Sequence, residues 1–596
     1  MPNSRRNFLK QATAAMSLAW SGSRVPGGSG KNKSVTADLR AGGAARQIAI
    51  ARVEEMPNIP QPFKMRNWKQ VAKDYDALVF DLNARGEYMP LIWIDRTHVN
   101  FDEDTFGLYV TVGDPRCGPK ENNGQHHDVI NDIGAVLGAT MVGLDKANQN
   151  GYNWAGMCKA YFNRAGGLNV IMEQEREFGA NVGSQYESAW GQGMLLPNIL
   201  FFQLVHYYPW QPRFGELMRT CADQFHRAAA VLKNSSRGFA YATFDFKTMK
   251  PVIPSNGITK KTGEPDGAGV FAWLEYMAYV KYKDPKYLET SEWALQWLLA
   301  LKRNPRGFGM LVPYAACLAA RMNAEFGREY ETRKLVDWSF SDDSYVWPGT
   351  KVLAKRFGVY GVDGLWAAGN RAYLMETFQL AAALVPLVRY DPRFARAIGK
   401  WMLNTANAAR LFYPEELPDA DQSSPEFKAL TRNVIGYEAL TVKNNTPFAE
   451  RDDWKYTRSD GTPYVFPKVS QFSLYGSSYV GIFGGIISRT DDEKILQLDC
   501  LKTDFFHDKA YPTYLYFNPY KEDKEIHIDL GPNRVDLYDT VSKRWVKKSA
   551  LGTTSLRLVR DTAAVIVLVP AGAEVIRTGR KLLANGVVVD YGNGRI

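Results

Sequence analysis

The chain has 596 residues, 45% of them apolar, which is enough to bury more than one core and predicts two domains. Its 30 Pro and 50 Gly exclude a collagen-like or low-complexity chain. No run of about 18 apolar residues predicts a membrane span. The net charge of +10 owes six basic residues to positions 1–34; without them it falls to about +4, with no clustered basic face to suit nucleic acid.

In chain order, Ser4-Arg5-Arg6-Asn7-Phe8-Leu9-Lys10 resembles a twin-arginine export signal, with a mildly apolar stretch from Ala12 to Trp20 behind it. Residues 1–34 therefore read as signal peptide and linker, and the expected location is periplasmic or secreted. Five Cys (Cys117, Cys158, Cys221, Cys317, Cys500) stand far apart without a C-x-x-C, so no zinc or redox motif is present. They read as small buried hydrophobes, and neither a metal nor a cofactor is expected.

Apolar spacing predicts helices over Trp68–Asn83, Val129–Lys146, Tyr152–Phe162 and Met194–Tyr207, with a long Gly/Glu-rich connection from Gly166 to Gly193. Tyr88–Ile94 is short and apolar, ambiguous between strand and helix. The clearest unit is Asp266–Leu298. One buried helix runs to Tyr282, Asp284-Pro285 supplies an N-cap and a first helical residue, and Tyr287, Leu288, Trp293 and Trp297 form a second helix. So short a connection forces an antiparallel αα-hairpin. The same punctuation stands at Pro212-Arg213-Phe214, Arg328-Glu329-Tyr330 and Asp391-Pro392-Arg393-Phe394. The steps of 73, 43 and 64 residues are too irregular for a solenoid. Residues 311–326 and 371–389 continue the helices, with a rim loop from Asp342 to Gly369. After Tyr413-Pro414 the texture changes to polar loop, Pro418–Pro467. Short β-type runs follow: Tyr479–Ser488, Ile495–Leu498, Tyr514–Phe517, Ile526–Leu530, Val535–Leu537, Thr554–Val559 and Ala564–Val569. The expected fold class is α+β multidomain. A ring of helical hairpins, an α/α toroid, spans 50–415, linking loops span 416–465, and an antiparallel β-sandwich spans 466–596.

Two loops carry chemistry-bearing residues. In Glu121-Asn122-Asn123-Gly124-Gln125-His126-His127-Asp128, adjacent His cannot both face a core, so one is expected to point into a groove as general base or donor. The alternative is that His127 and Asp128 cap the following helix and satisfy one another. In Gly183–Gly193, the polar and aromatic residues Gln185, Tyr186, Glu187 and Trp190 interleave with Gly, a composition that suits stacking on sugars and bonding their hydroxyls. Loop acids are plentiful: Glu173, Glu175, Glu187, Asp266, Asp342, Asp343 and Asp363. With Tyr345, Trp347 and Trp366 they suggest a sugar cleft, and two of them could act as the acid and base of an inverting glycosidase. Asp491-Asp492 reads as a hairpin tip and His507 as a surface residue. No P-loop, dinucleotide fingerprint or nucleophile elbow is present.

The order Asn123, His126 or His127, then Ser184 and Tyr186, then a β-rich end resembles the α/α-toroid polysaccharide lyases of the heparinase and alginate-lyase kind. That resemblance implies β-elimination on a uronate-containing glycan. Asn123 would neutralise the uronate carboxylate, His126, His127 or Tyr186 would remove the C5 proton, and Tyr186 would protonate the leaving oxygen. The expected function is an exported glycan-degrading enzyme, a lyase. The alternatives are a six-hairpin inverting hydrolase using two rim carboxylates and a glycan-binding protein without catalysis.

Overall fold

Several helices of this chain are apolar on every face, a pattern that only complete burial explains. The computed structural model describes residues 44–98, 101–113, 127–164, 167–172, 195–241, 243–253, 262–307, 309–451 and 466–593. Its main helices are α1 (Trp68–Val79), α2 (Val129–Met141), α3 (Leu196–Tyr207), α4 (Phe214–Lys233), α5 (Gly267–Tyr282), α6 (Pro285–Ala300), α7 (Leu311–Phe326), α8 (Thr332–Phe340), α9 (Leu374–Leu384), α10 (Ala395–Ala408) and α11 (Val480–Ile486).

The α5–α6 pair is the hairpin its punctuation predicts. Pro285 opens α6, and the Asp284 carboxylate accepts the Lys286 N–H at 3.2 Å. Gly269 faces Leu298, Ser291 Oγ donates to the Ala272 carbonyl at 2.7 Å, and the Tyr282 and Tyr287 rings lie 6.3 Å apart. One number climbs as the other falls, so the helices are antiparallel. The α4, α8 and α10 helices likewise begin at the Pro212, Arg328 and Asp391 punctuation.

The apolar helices α2, α3, α5, α7, α9 and α11 pack in succession, and α11 packs back on α2. They run parallel. Gly269 meets Ala315 and the Tyr276 hydroxyl reaches Glu325, so α5 and α7 climb together. Gly309 meets Glu376, while Cys317 and Leu318 share a small void with Ala382 and Ala383. Leu374 touches Gly476 and the Phe378 ring lies 4.7 Å from Phe483, which aligns α9 with α11. Tyr479 packs at Gly134, and Gly485 at Met141. Parallel helices present all their N-terminal ends on one side.

The α11 helix corrects a sequence expectation, for Tyr479–Ser488 was to be a strand. Its β-branched residues and glycines favour extension, yet the glycines serve close packing. A methyl at Gly138 would fall 2.7 Å from the Ser478 carbonyl, and one at Gly484 would fall 2.7 Å from Val142. Tertiary contact overrides local propensity here. Tyr152–Phe162 also differs, forming one short helical turn (Trp154–Met157) and a tighter one (Cys158–Tyr161).

Strands β1 (Ile92–Asp95) and β2 (Thr105–Leu108) form a small antiparallel ribbon. The segments expected as rim loop and polar loop instead share a five-stranded antiparallel sheet. Its strands are β3 (Thr350–Val352), β4 (Trp366–Ala368), β5 (Arg371–Tyr373), β6 (Ala439–Lys443) and β7 (Thr446–Glu450), in the order 7-6-5-4-3. Strands of three to five residues whose partners lie far away in sequence carry no readable alternation.

The C-terminal region is sheet. Strands β8 (Ile487–Arg489), β9 (Leu496–Asp499), β10 (Thr513–Phe517), β11 (Lys524–Asp529), β12 (Val535–Asp539), β13 (Arg544–Ala550), β14 (Thr553–Leu558), β15 (Ala563–Pro570), β16 (Val575–Thr578), β17 (Lys581–Ala584) and β18 (Val587–Asp590) are all antiparallel. A six-stranded sheet, order 8-9-10-15-12-13, has apolar cores on both faces. Leu537 and Ile566 pack with Ile526 and Leu556 of the β11–β14 pair, while their neighbours Tyr538 and Val567 pack with Leu582 and Val589 of β16–β18. That is the period-two alternation of a strand buried on both sides.

Residues 42–596 form one compact unit, and a buried ionic network ties the sheet region to the helices. The Arg389 guanidinium donates to Asp504 at 2.5 Å, the Tyr390 hydroxyl donates to the same carboxylate at 2.8 Å, and Asn593 Nδ2 donates to the Tyr390 carbonyl at 2.8 Å. Cys158, Cys221, Cys317 and Cys500 are buried free thiols, and Cys117 lies outside the described residues. Among the described residues no helix is long and apolar enough to cross a membrane.

Candidate active site

Two acids stand at the shared N-terminal side of the parallel helices. Asp266 immediately precedes α5, is fully buried, and its Oδ2 accepts the Gly307 N–H at 2.7 Å. Glu376 lies in the first turn of α9 and keeps only 6% of its surface. Between them runs the segment that opens α7. A methyl at Gly307 would fall 3.4 Å from both Asp266 carboxylate oxygens and from the Trp347 ring. A methyl at Gly309 would fall 3.1 Å from the Trp366 indole nitrogen and 3.2 Å from Glu376 Cγ. Two acids and two tryptophans therefore close on Gly307 and Gly309, with room for a methyl at the first and a tight fit for one at the second.

The segment is held from behind. The buried Arg306 guanidinium donates to the Ser339 and Ser341 carbonyls at 2.6 and 2.5 Å, and also to the Thr350 carbonyl. Burial lowers its pKa to about 10. Asn304 Nδ2 donates to the Trp338 carbonyl at 3.1 Å and to Asp343 Oδ1 at 3.0 Å. Trp366 is fixed by its backbone N–H, which donates to Thr377 Oγ1 at 3.1 Å.

The electrostatics separate the acids. Burial pushes the Glu376 carboxyl up to about 8, against the pull of its own backbone N–H, and the nearby Glu438 pushes it further up. The carboxyl is thus neutral and can donate a proton near pH 7. Glu438 stands 3.4 Å from Arg451 Nε, and its carbonyl accepts the Leu374 N–H at 3.3 Å, so strand pairing of β5 with β6 sets it beside α9. Arg451 in turn donates to Thr111 Oγ1 at 3.3 Å. The half-buried Tyr345 phenol is raised by burial and by the charge of Asp266, which places it in the same field. The indole N–H groups of Trp347 and Trp366 are buried without an acceptor. A buried donor without a partner calls for an explanation, and a ligand oxygen is one.

Of the residues singled out in the sequence, the structure brings Asp266, Tyr345, Trp347 and Trp366 together. Asp343 and Asp363 lie elsewhere. Asp343 lines a groove along α8. Asp363 is buried, raised to about 6 by burial, and sits where a methyl at Gly361 would fall 2.8 Å from its Oδ2. His127 is in the interior, not in a groove. It is fully buried among Trp93, Phe101 and Tyr161, its Nε2 lies 2.8 Å from Asp95 Oδ2, and its Nδ1 lies 3.8 Å from Asp132 Oδ2. Asp128 does cap α2, accepting the Asn131 N–H at 2.9 Å. Asn123, His126, Gln185, Tyr186, Glu187 and Trp190 lie outside the described residues. Sequence reasoning missed Glu376 and Glu438. The available signal for Glu376 was a lone acid in a helix apolar on all sides, where no surface exists to host a charge. Among the described residues no group of three or more His, Cys, Asp or Glu is placed to hold a metal ion.

No family model matches the chain, and no curated protein matches it. Among solved structures, a GH127 β-L-arabinofuranosidase from Geobacillus stearothermophilus is similar at 11% identity and a TM-score of 0.36, covering 88% of this chain and 85% of its own. A second GH127 β-arabinofuranosidase has 10% identity and a TM-score of 0.33, covering 89% and 84%. A cellulase of C. cellulolyticum also has 10% identity and a TM-score of 0.33, covering 70% and 98%. Likenesses this loose carry no chemistry to this chain, whose function must be read from its own residues.

Proposed function

We propose that the chain is a glycan-degrading enzyme, an inverting glycoside hydrolase in which Glu376 is the general acid and Asp266 the general base. The carrying observation is the neutral Glu376 carboxyl and the amide-bound Asp266 carboxylate on either side of Gly307 and Gly309, beneath two indole N–H groups that lack acceptors. In this reading the glycosidic oxygen takes the Glu376 proton as the bond to the anomeric carbon breaks. Asp266 takes a proton from the water that attacks the opposite face, and the indoles donate to sugar hydroxyls. Glu438, paired with Arg451, adds negative charge that keeps the proton on Glu376.

The closed succession of six parallel helices supports reading the helical part as the inner ring of an α/α toroid of the six-hairpin kind. The C-terminal layers then form its β-sandwich. With the twin-arginine signal read at residues 4–10, the enzyme acts in the periplasm or outside the cell.

The test is product chemistry. Incubation with neutral and uronate polysaccharides should release reducing ends without absorbance near 235 nm, and Glu376→Gln should cut that release by at least about 100-fold. Absorbance at that wavelength would instead mark elimination and the lyase centred on Asn123, His126 and Tyr186. Binding without new ends would remove catalysis altogether.

A further inference from the structure

A groove of about 730 Å³ runs along α8, lined by Tyr330, Arg333, Asp337, Trp338, Asp343 and Arg393 among others. It is joined to the candidate active site by one short segment. Asn304 Nδ2 donates to Asp343 Oδ1 at 3.0 Å on the groove side, and three residues later the Gly307 N–H donates to Asp266. We propose that this groove is a second saccharide-binding site, which holds an uncharged stretch of the glycan outside the catalytic cleft.

The lining chemistry selects that ligand. Its volume lies within the ~300–1,000 Å³ typical of ligand clefts. Each cation is already balanced. Arg333 Nε stands 3.5 Å from Asp337 Oδ2, and Arg393 gives two N–H groups to Asp391 at 2.8 and 2.7 Å. The Lys334 ammonium stands 3.9 Å from Glu331 Oε2, donates to the Leu299 carbonyl at 2.7 Å and lies 4.9 Å over the Trp338 ring. The groove therefore offers a polyanion no net field, and its alternating guanidinium and carboxylate edges repel an apolar ligand. Beyond those pairs, each carboxylate can accept and each guanidinium can donate further hydrogen bonds, which suits neighbouring sugar hydroxyls. Burial, and after it the charge of Asp343, holds the Asp337 carboxyl above its ordinary value against the pull of Arg333.

The ligand class rests on the hydrolase reading; the groove's capacity to bind does not. The full-length chain carrying Glu376→Gln, so that no polymer is cut, is run in native gels cast with soluble arabinan, arabinoxylan, hydroxyethylcellulose or polygalacturonate. Retardation is expected in at least one of the three neutral gels. Adding Arg333→Ala and Asp337→Ala should weaken that binding by about tenfold or more, the scale of one or two lost polar contacts. In the otherwise native chain the same pair should leave hydrolysis of short oligosaccharides unchanged. If the double variant misfolds by circular dichroism, Asp337→Asn alone serves. Retardation in no neutral gel, retardation only by polygalacturonate, or equal retardation of the groove variants would each overturn the proposal. Full activity of Glu376→Gln would sink the catalytic reading while leaving the retardation to decide the groove.

Discussion

Glu376→Gln separates stability from catalysis in a way that only a buried neutral acid can. The folded carboxyl titrates near 8 against an ordinary 4.5, so the folded state holds a proton that the unfolded chain has already lost. What the protonated acid contributes is fully present below the unfolded value and is lost as pH rises through the folded one. Each pH unit inside that window costs about 1.4 kcal/mol, so between about pH 4.5 and 7.5 the loss has a ceiling of roughly 4 kcal/mol. Glutamine keeps the shape and cannot ionise. Thermal melts of parent and variant at steps between about pH 4.5 and 8.5 should coincide at the acid end. The variant should then lead by a few degrees at the alkaline end. Hydrolysis should fall at least about 100-fold over the same range. A difference in Tm that does not change with pH would refute the burial argument, and undiminished turnover would refute the assigned role.

Glu275 makes a parallel case without catalysis. It is fully buried on α5 with neither oxygen partnered, and burial holds it well above the carboxylate range, so Glu275→Gln should raise Tm increasingly above about pH 5 with activity intact. A lower Tm at pH 8 would contradict this. Asp504→Asn strands the Arg389 guanidinium between helices and sheet and should cost about 3–5 kcal/mol, seen as a lower urea midpoint. An unchanged midpoint would deny that network its role. At His127, burial alone would lower the pKa, but Asp132 and Asp95 outweigh it and hold the imidazolium above its ordinary value. Its stabilisation is therefore fully present below about pH 6.5 and lost as pH rises through the raised value. The Tm deficit of His127→Gln should accordingly be largest in acid and shrink with rising pH, with kcat of the folded protein unchanged. A collapse of kcat without loss of Tm would restore His127 to the active site.

What was legible in the sequence was what local chemistry determines. Asp284-Pro285 and Asp391-Pro392 declare helix starts because a carboxylate accepts the free N–H of the first turn and Pro has none to lose, and both act within three residues. Asp266, Tyr345, Trp347 and Trp366 stand out in the sequence because acids and aromatics among glycines have few structural uses. The rest depends on contacts between distant parts of the chain. Tyr373 pairs with Ala439 across a stretch that reads as polar loop, and that pairing brings Glu438 to Glu376. Gly481 and Gly484 look like strand breakers until Gly138 and Val142 are seen against them. Glu376 itself resembles an ordinary first-turn acid, a residue that the helix dipole favours.

The two acids lie more than a hundred residues apart, yet each sits where an apolar helix begins, and so does the glycine segment between them. Parallel packing makes that coincidence useful. When each buried helix is followed by an antiparallel outer partner, every return of the chain starts the next buried helix at the same end. Acids placed at successive starts then converge without any sequence signal linking them. The α7 opening, with Gly307 on Asp266 and Gly309 on Glu376, is where that convergence is tightest. Gly309→Ala should therefore act on the site and not on the fold at large. Its methyl must displace either the Trp366 ring or the Glu376 side chain by a few tenths of an ångström, and misplacement on that scale is enough to cost a positioned acid much of its rate. Turnover that falls several-fold while Tm holds would place the strain at the acid. A Tm that falls with full turnover would place it in the packing and loosen the assignment of Glu376.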